Sequence, residues 1–106
     1  MKLKVFSGSL LVQPLRPGMI NGVYRTDQTK DTPPNVCRVM GVGEGYYVPE
    51  KDAYEPLPYK IDDLIAVNPD GLYSMDLDGD TYWRINSQDV MATIEDLDVS
   101  EYEEVK

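Results

Sequence analysis

The feature that most constrains this chain is a short segment in which apolar residues give way to alternating glycines. It reads CRVMGVGEG over residues 37–45, with Gly41, Gly43 and Gly45 at every second position. A period of two is typical of a β-strand. Glycine at such positions either allows a positive φ or lets another backbone pass close by. We therefore predict a strand over residues 36–42 that ends in a tight bend.

Further short strands are predicted on both sides of this segment. Residues 1–6 alternate lysine with apolar side chains, and residues 10–12 form a short buried strand. Pro14 and Pro17 should end the sheet by about Leu15, because proline cannot donate to the strand ladder. Apolar strands follow at 64–67 and 90–94.

The clearest turn signal is Asp78-Gly79, which lies between alternating runs at 72–75 and 81–85. An Asp-Gly pair in this setting is typical of a tight β-hairpin. Several turn signals and no convincing helical period predict an all-β domain, a small barrel of six or seven short strands.

Length and composition limit the function classes. With 106 residues the chain is a single domain, 1–106, near the lower limit for a stable core, and small domains often gain stability by oligomerising. The net charge of −9 opposes ordinary nucleic-acid binding. No apolar run reaches the ~18 residues that span a bilayer, and no signal-like segment begins the chain. We expect a soluble cytoplasmic protein without a nucleic-acid or membrane partner.

No catalytic residue, metal site or cofactor is predicted, so we expect a non-enzyme. The chain has no histidine, and its one cysteine, Cys37, has the character of a small apolar strand residue. Asp76, Asp78 and Asp80 resemble the start of a calcium loop, but the glycine belongs one place after the third aspartate and Gly79 instead precedes it, while Ser87 occupies the twelfth position. We interpret them as a solvated hairpin tip, with weak calcium binding as the alternative.

Three segments lack a usable period. Residues 17–35 form a loop far longer than the median of ~4–6 residues, and such loops are usually functional or disordered. Residues 46–58 are rich in tyrosine, glutamate and proline, and residues 96–106 are an acidic tail.

Three blocks, at 37–45, 59–68 and 86–95, resemble in order and spacing the body of a GroES-type co-chaperonin, the lid subunit of bacterial and phage chaperonins. Cys37 replaces the first glycine of the family's strand motif, and Asp62 replaces the glycine of its later turn. The family's closing pattern is matched, with one spacing relaxed, by Ser87, Asp89, Val90, Ala92 and Ile94. The chain is thus similar to a diverged member of the family, and its unusual segments at 17–35 and 46–58 suggest a phage-type lid.

This resemblance implies a small irregular GroES-like β-barrel with a long mobile loop at 17–35 and a roof hairpin at 46–58. In the family the loop docks onto the chaperonin through a glycine and an apolar tripeptide and becomes ordered on docking. The matching residues are Gly22, Val23, Tyr24 and Arg25, with Met19 and Ile20 just ahead. Arg25 stands where the family has a third apolar side chain.

The resemblance also implies that the first and last strands pair between neighbouring subunits, which places Leu3, Val5, Val90 and Ile94 at the subunit interface. The implied function is a homo-oligomeric ring, a heptamer, that caps an ATP-driven GroEL-type chaperonin and encloses a folding client protein, in the host cytoplasm if the chain is phage-encoded.

Two other classes stay open from the residues alone. One is an acidic inhibitor or nucleic-acid mimic on a similar barrel. The other is a monomeric β-barrel that binds a partner through Tyr46, Tyr47 and Tyr54.

Overall fold

The structure is a computed structural model. It describes residues 3, 5, 7–17, 19–20, 23–24, 35–100 and 102–105, with the backbone alone at 17, 19–20 and 23–24. These residues form β-strands and short 3-10 turns at Pro69–Gly71 and Ser87–Asp89, with no α-helix among them. The strands are β1 Ser9–Pro17, β2 Met19–Ile20, β3 Val23–Tyr24, β4 Val36–Val42, β5 Tyr46–Val48, β6 Ala53–Glu55, β7 Leu64–Val67, β8 Tyr73–Leu77, β9 Asp80–Asn86, β10 Val90–Ile94 and β11 Tyr102–Glu104. The predicted all-β class is confirmed.

Seven strands form one antiparallel sheet in the order β10-β7-β4-β1-β9-β8, with β11 beside β1. The sheet is not closed: across the described ranges, no pairing joins β8 to β10. The small irregular β-barrel predicted from the sequence is therefore found as an open sheet among the described residues. The segment after β6 covers the core instead, because Leu57 lies in the buried cluster and Tyr59 packs against it.

Alternation along the central strands builds the core. The inward positions of β1, β4, β7 and β9 carry the apolar residues that the sequence pattern indicates. Full burial of one valine, leucine or isoleucine side chain stabilises the fold by about 1.5–3 kcal/mol. The buried cluster consists of Leu10, Val12, Cys37, Val39, Leu57, Ile65, Val67 and Ile85.

Strands β4, β7 and β10 have the predicted bounds, whereas the first strand differs. β1 continues through Pro14 to Pro17, so the expected stop near Leu15 was wrong. On one side of β1 the neighbour changes from β9, last paired at Val12, to β11, first paired at Leu15. Pro14 lies between these two pairings, and the sheet tolerates it because the Gln13 side-chain amide, rather than a Pro14 N–H, donates to the Val105 carbonyl oxygen.

The N-terminal strand predicted at 1–6 is not seen at the two positions that the structure describes. Leu3 and Val5 both lie outside strands. The other residues of that segment lie outside the described ones.

Two turns show how local chemistry shapes the sheet. Asp78 and Gly79 have φ of 50° and 85° and join the paired residues Leu77 and Asp80, which confirms the predicted hairpin. Asp62 has a φ of 76°. The position where the family motif has glycine is therefore left-handed here, and aspartate is among the few non-glycine residues that tolerate it.

Gly45 is where the alternating glycines meet another backbone. A Cβ at this residue would lie 1.3 Å from the carbonyl oxygen of Glu55, while its φ is outside the positive region. Close approach is therefore the reason for glycine here. It lets the chain leave β4 and enter β5 directly beside the end of β6.

Candidate functional site

The segment predicted to dock on a chaperonin contains a small hairpin. β2 and β3 pair antiparallel, with Met19 opposite Tyr24 and Ile20 opposite Val23. Four of the six predicted docking residues are thus brought together in two backbone pairs. They form a separate two-stranded sheet that follows β1 in the chain.

The other two predicted docking residues, Gly22 and Arg25, lie outside the described residues, as does most of the loop at 17–35. The expected disorder of this loop and its ordering on a partner therefore stay predictions. Sequence reasoning missed the β2–β3 pairing. The available signal was Asn21-Gly22, a dipeptide typical of two-residue hairpin turns, between two apolar pairs.

The segment predicted as a roof forms a second hairpin from β5 and β6. Tyr47 lies opposite Tyr54, and their ring centroids are 5.4 Å apart at an interplanar angle of 57°. The Tyr47 hydroxyl donates to the carboxylate of Asp52, and this hydrogen bond together with partial burial raises the pKa of Tyr47. At the hairpin base, the hydroxyl of Tyr46 hydrogen-bonds that of Ser87.

The same three tyrosines are the ones that a monomeric binding module would use. Tyr46, Tyr47 and Tyr54 are each about half exposed. Tyr47 and Tyr54 pack on each other within the hairpin, whereas the hydroxyl of Tyr46 joins the hairpin to Ser87 of the second 3-10 turn. An ion pair at 2.7 Å between Lys51 Nζ and Glu55 Oε1 lies on the solvent side of the same hairpin.

Two of the predicted interface residues lie on an edge strand. β10, which contains Val90 and Ile94, pairs with β7 and ends the sheet on that side in the described part of the chain. An irregularity between Val90 and Ala92 interrupts the ladder, and Met91 at this point is 72% exposed. An edge strand of this kind offers unpaired backbone groups to another chain.

The other two, Leu3 and Val5, are half-buried against the far end of β4. They line an open groove of about 530 Å³ with Gly41, Val42, Gly43, Glu44 and Ile61. Ile61 is 63% exposed, so this groove presents an apolar side to solvent. The interface assignment of all four residues stays a prediction, and no strand pairing joins the two places within the single chain described.

Among the residues that the structure describes, the titratable groups give no sign of an activated nucleophile. Cys37 is fully buried, and burial raises the pKa of its thiol to about 12. Asp76 accepts a hydrogen bond from the Thr81 hydroxyl at 2.8 Å across the β8–β9 hairpin. A search of the described residues found no group of three or more histidine, cysteine or acidic side chains placed to hold a metal ion. Nor do those residues include a helix long and apolar enough to span a membrane.

Comparison with known proteins decides between the remaining classes. A search among curated protein sequences found no match. The family model described as the chaperonin 10 kDa subunit, Cpn10, matches residues 5–94, which is most of the chain. The match includes the β2–β3, β5–β6 and β8–β9 hairpins and the edge strand β10, and it ends before β11. The chain belongs to the Cpn10 family and is a GroES-type co-chaperonin.

Proposed function

We propose that copies of this chain assemble into a heptameric ring that caps a GroEL-type chaperonin and encloses a folding client protein. Family membership implies the chaperonin partner and the ring, and members of the family act as non-enzymatic regulators. In this mechanism the partner hydrolyses the ATP, so the lid needs no catalytic group. The ring works in the cytoplasm; a phage origin stays a prediction.

The observation that carries the capping proposal is the apolar hairpin Met19–Ile20 and Val23–Tyr24, which follows β1 where the family has its docking loop. Burial of one such side chain is worth about 1.5–3 kcal/mol. A ring engages through several loops at once, so a loss at each loop is multiplied by avidity. Ordering the loop on docking opposes part of this gain, which keeps the lid releasable.

The decisive experiment removes the docking side chains and leaves the fold. The double substitution Val23→Ser/Tyr24→Ser should abolish capture of the ring by a chaperonin in the presence of ATP or ADP. It should also abolish protection of a bound client from added protease, with the ring and its melting temperature unchanged. The matched control is Tyr73→Ser/Met75→Ser, which changes two exposed residues of β8. Unchanged capture by the docking variant would refute this site.

Arg25 provides a finer test of the same loop. Its charge stands at the position of an apolar anchor, so we propose that it meets a carboxylate on the partner. Arg25→Leu should then reduce the salt dependence of binding or change which chaperonin is bound. Salt dependence equal to that of the parent would contradict this role.

Assembly is tested separately. We propose that residues 1–5 of one subunit pair with the edge strand β10 of the next, which removes two unpaired edges per subunit. Native mass spectrometry should show a heptamer for the parent and monomers after deletion of residues 1–5. A parent chain that is monomeric at tens of micromolar would refute the ring.

A further inference from the structure

The end of β1 is held by a strand that the sequence pattern does not predict. β4 pairs with β1 from Leu10 to Leu15, and β9 pairs with it from Ser9 to Val12. Arg16 and Pro17 extend beyond both of these partners. β11 pairs with Leu15, Arg16 and Pro17 through Glu104, Glu103 and Tyr102. In the described part of the chain, β11 is therefore the one strand that holds the last two residues of β1 in the sheet.

Further hydrogen bonds fasten β11 beside Pro14. The Val105 backbone N–H donates to the Pro14 carbonyl oxygen at 2.9 Å, and the Gln13 side-chain amide donates to the Val105 carbonyl oxygen at 2.8 Å. The Pro14 carbonyl also accepts from the Gln13 amide at 3.1 Å. These three hydrogen bonds satisfy the carbonyl oxygens of Pro14 and Val105 beside the part of β1 that no longer pairs with β9.

The chain turns back towards β1 through a defined bend. The Ser100 N–H donates to the Asp98 carboxylate at 2.9 Å, and the Tyr102 N–H donates to the Val99 carbonyl oxygen at 3.0 Å. Hydrogen bonds from Ser100 lower the pKa of Asp98. The acidic tail is thus built to return to β1.

Charge also favours this pairing. Arg16 lies directly opposite Glu103 in the register. Among the described residues the two side chains form no direct ion pair, and Arg16 Nε is buried without a hydrogen-bond partner, so the attraction between the opposite charges acts through their neighbouring positions in the register. The chain carries 10 basic and 19 acidic residues, so a cation at this point of β1 matches the acidic tail.

We propose that β11 is a positioning element for the docking hairpin. The hairpin begins at Met19, two residues after Pro17, which is the last residue of β1 that β11 holds. By keeping Arg16 and Pro17 in the sheet, β11 makes the hairpin start from a fixed point on the domain. The family match ends at residue 94, so this strand is an addition to the matched region. The inference rests on the proposed docking function and deepens it.

The expected effect follows from chain geometry. Without β11 the tether of the hairpin lengthens by two residues, which adds up to about 7 Å of reach in extended chain. Fixing the backbone of one residue costs roughly a tenfold factor in an equilibrium constant. Loss of β11 should therefore weaken chaperonin binding at least about tenfold, because these residues must then be ordered on docking.

The test uses the full-length ring and two readouts. Hydrogen exchange of the Arg16 amide in the free ring reports the strand pairing, and affinity for a GroEL-type chaperonin with ADP reports docking. The variants are a deletion of residues 102–106, the single substitutions Arg16→Glu and Glu103→Arg, and the two together. Glu50→Arg in the turn of the roof hairpin is the control, because it makes the same charge change away from β11.

We expect the deletion and both single substitutions to speed exchange at residue 16 and weaken binding, with the charge-swapped double variant recovering both. Glu50→Arg should change neither. Parent-like exchange in the deletion variant would overturn the strand contact. Faster exchange with parent-like affinity would overturn the positioning role. A parent ring that binds no chaperonin would refute the proposed function, and with it this role, whatever the exchange rates show.

Discussion

The alternating glycines lead to a prediction that separates two members of one motif. A Cβ at Gly45 would lie 1.3 Å from Glu55 O, 2.4 Å from Glu55 C and 2.9 Å from Pro56 Cα, all backbone atoms that cannot rotate away. A Cβ at Gly41 would meet the Leu11 side chain at 3.4 Å and Val5 Cγ2 at 3.6 Å, which are ordinary contacts. Gly45→Ala should therefore be strongly destabilising, and Gly41→Ala should be tolerated.

The size of the destabilisation in Gly45→Ala follows from the displacement that the new methyl group forces on the end of β6. To admit the methyl group at residue 45, the end of β6 has to withdraw by about 2 Å in a close-packed structure. This shift breaks the pairing of Tyr46 with Glu55, at about 0.5–1.5 kcal/mol per hydrogen bond. It also pulls on Leu57, whose full burial is worth about 1.5–3 kcal/mol. We expect a loss of about 2–4 kcal/mol in the free energy of unfolding, in the range of overpacking substitutions.

Urea unfolding followed by the fluorescence of Trp83, the single tryptophan, measures this loss. The parent and both variants are compared at one protein concentration, because assembly adds to apparent stability. Gly41→Ala should stay within about 0.5 kcal/mol of the parent. A Gly45→Ala variant as stable as the parent would refute the close approach. Equal losses at both glycines would show that the contact with Glu55 is not the cause.

Three further outcomes follow from the turns and the core. Gly79→Val should lower the free energy of unfolding by about 1–3 kcal/mol because a β-branched residue is strained at positive φ. The double substitution Asp76→Asn/Asp80→Asn should leave the free energy of unfolding nearly unchanged. Calorimetry checks both variants, and calcium binding that is lost in the double variant would reveal a metal site. Asp62→Gly should stabilise by a few tenths to about 1 kcal/mol, because the residue is left-handed; a lower melting temperature would contradict this. Burial raises the pKa of the Cys37 thiol from its ordinary 9.0 to about 12, so the unfolded chain loses this proton first. Stability should therefore fall as pH rises above about 9, and a thiol reagent at pH 8 should label Cys37 only in urea; rapid labelling of the folded protein would contradict its burial.

Local sterics explain what was predictable. Period-two alternation predicts the bounds of β4, β7 and β10, and the φ that glycine tolerates predicts the Asp78-Gly79 hairpin. Both signals depend only on residues that are neighbours in the chain. The apolar residues that we expect to dock were identified through the family resemblance, and their docking role stays a prediction. Their pairing in β2 and β3 was missed because a two-residue strand is too short to show a period.

The sequence alone therefore determined the strand class, the central strands of the core and the turn at Asp78-Gly79. Only the tertiary structure decided that Pro14 remains inside a strand, that Gly45 faces the backbone of Glu55, and that the acidic tail returns to β1. Each of these three features depends on which other segment of backbone lies beside the residue. For β1 that segment is β11, which is distant in sequence. A local pattern carries information about φ and about the face of a strand, but not about which distant segment supplies the next set of hydrogen bonds.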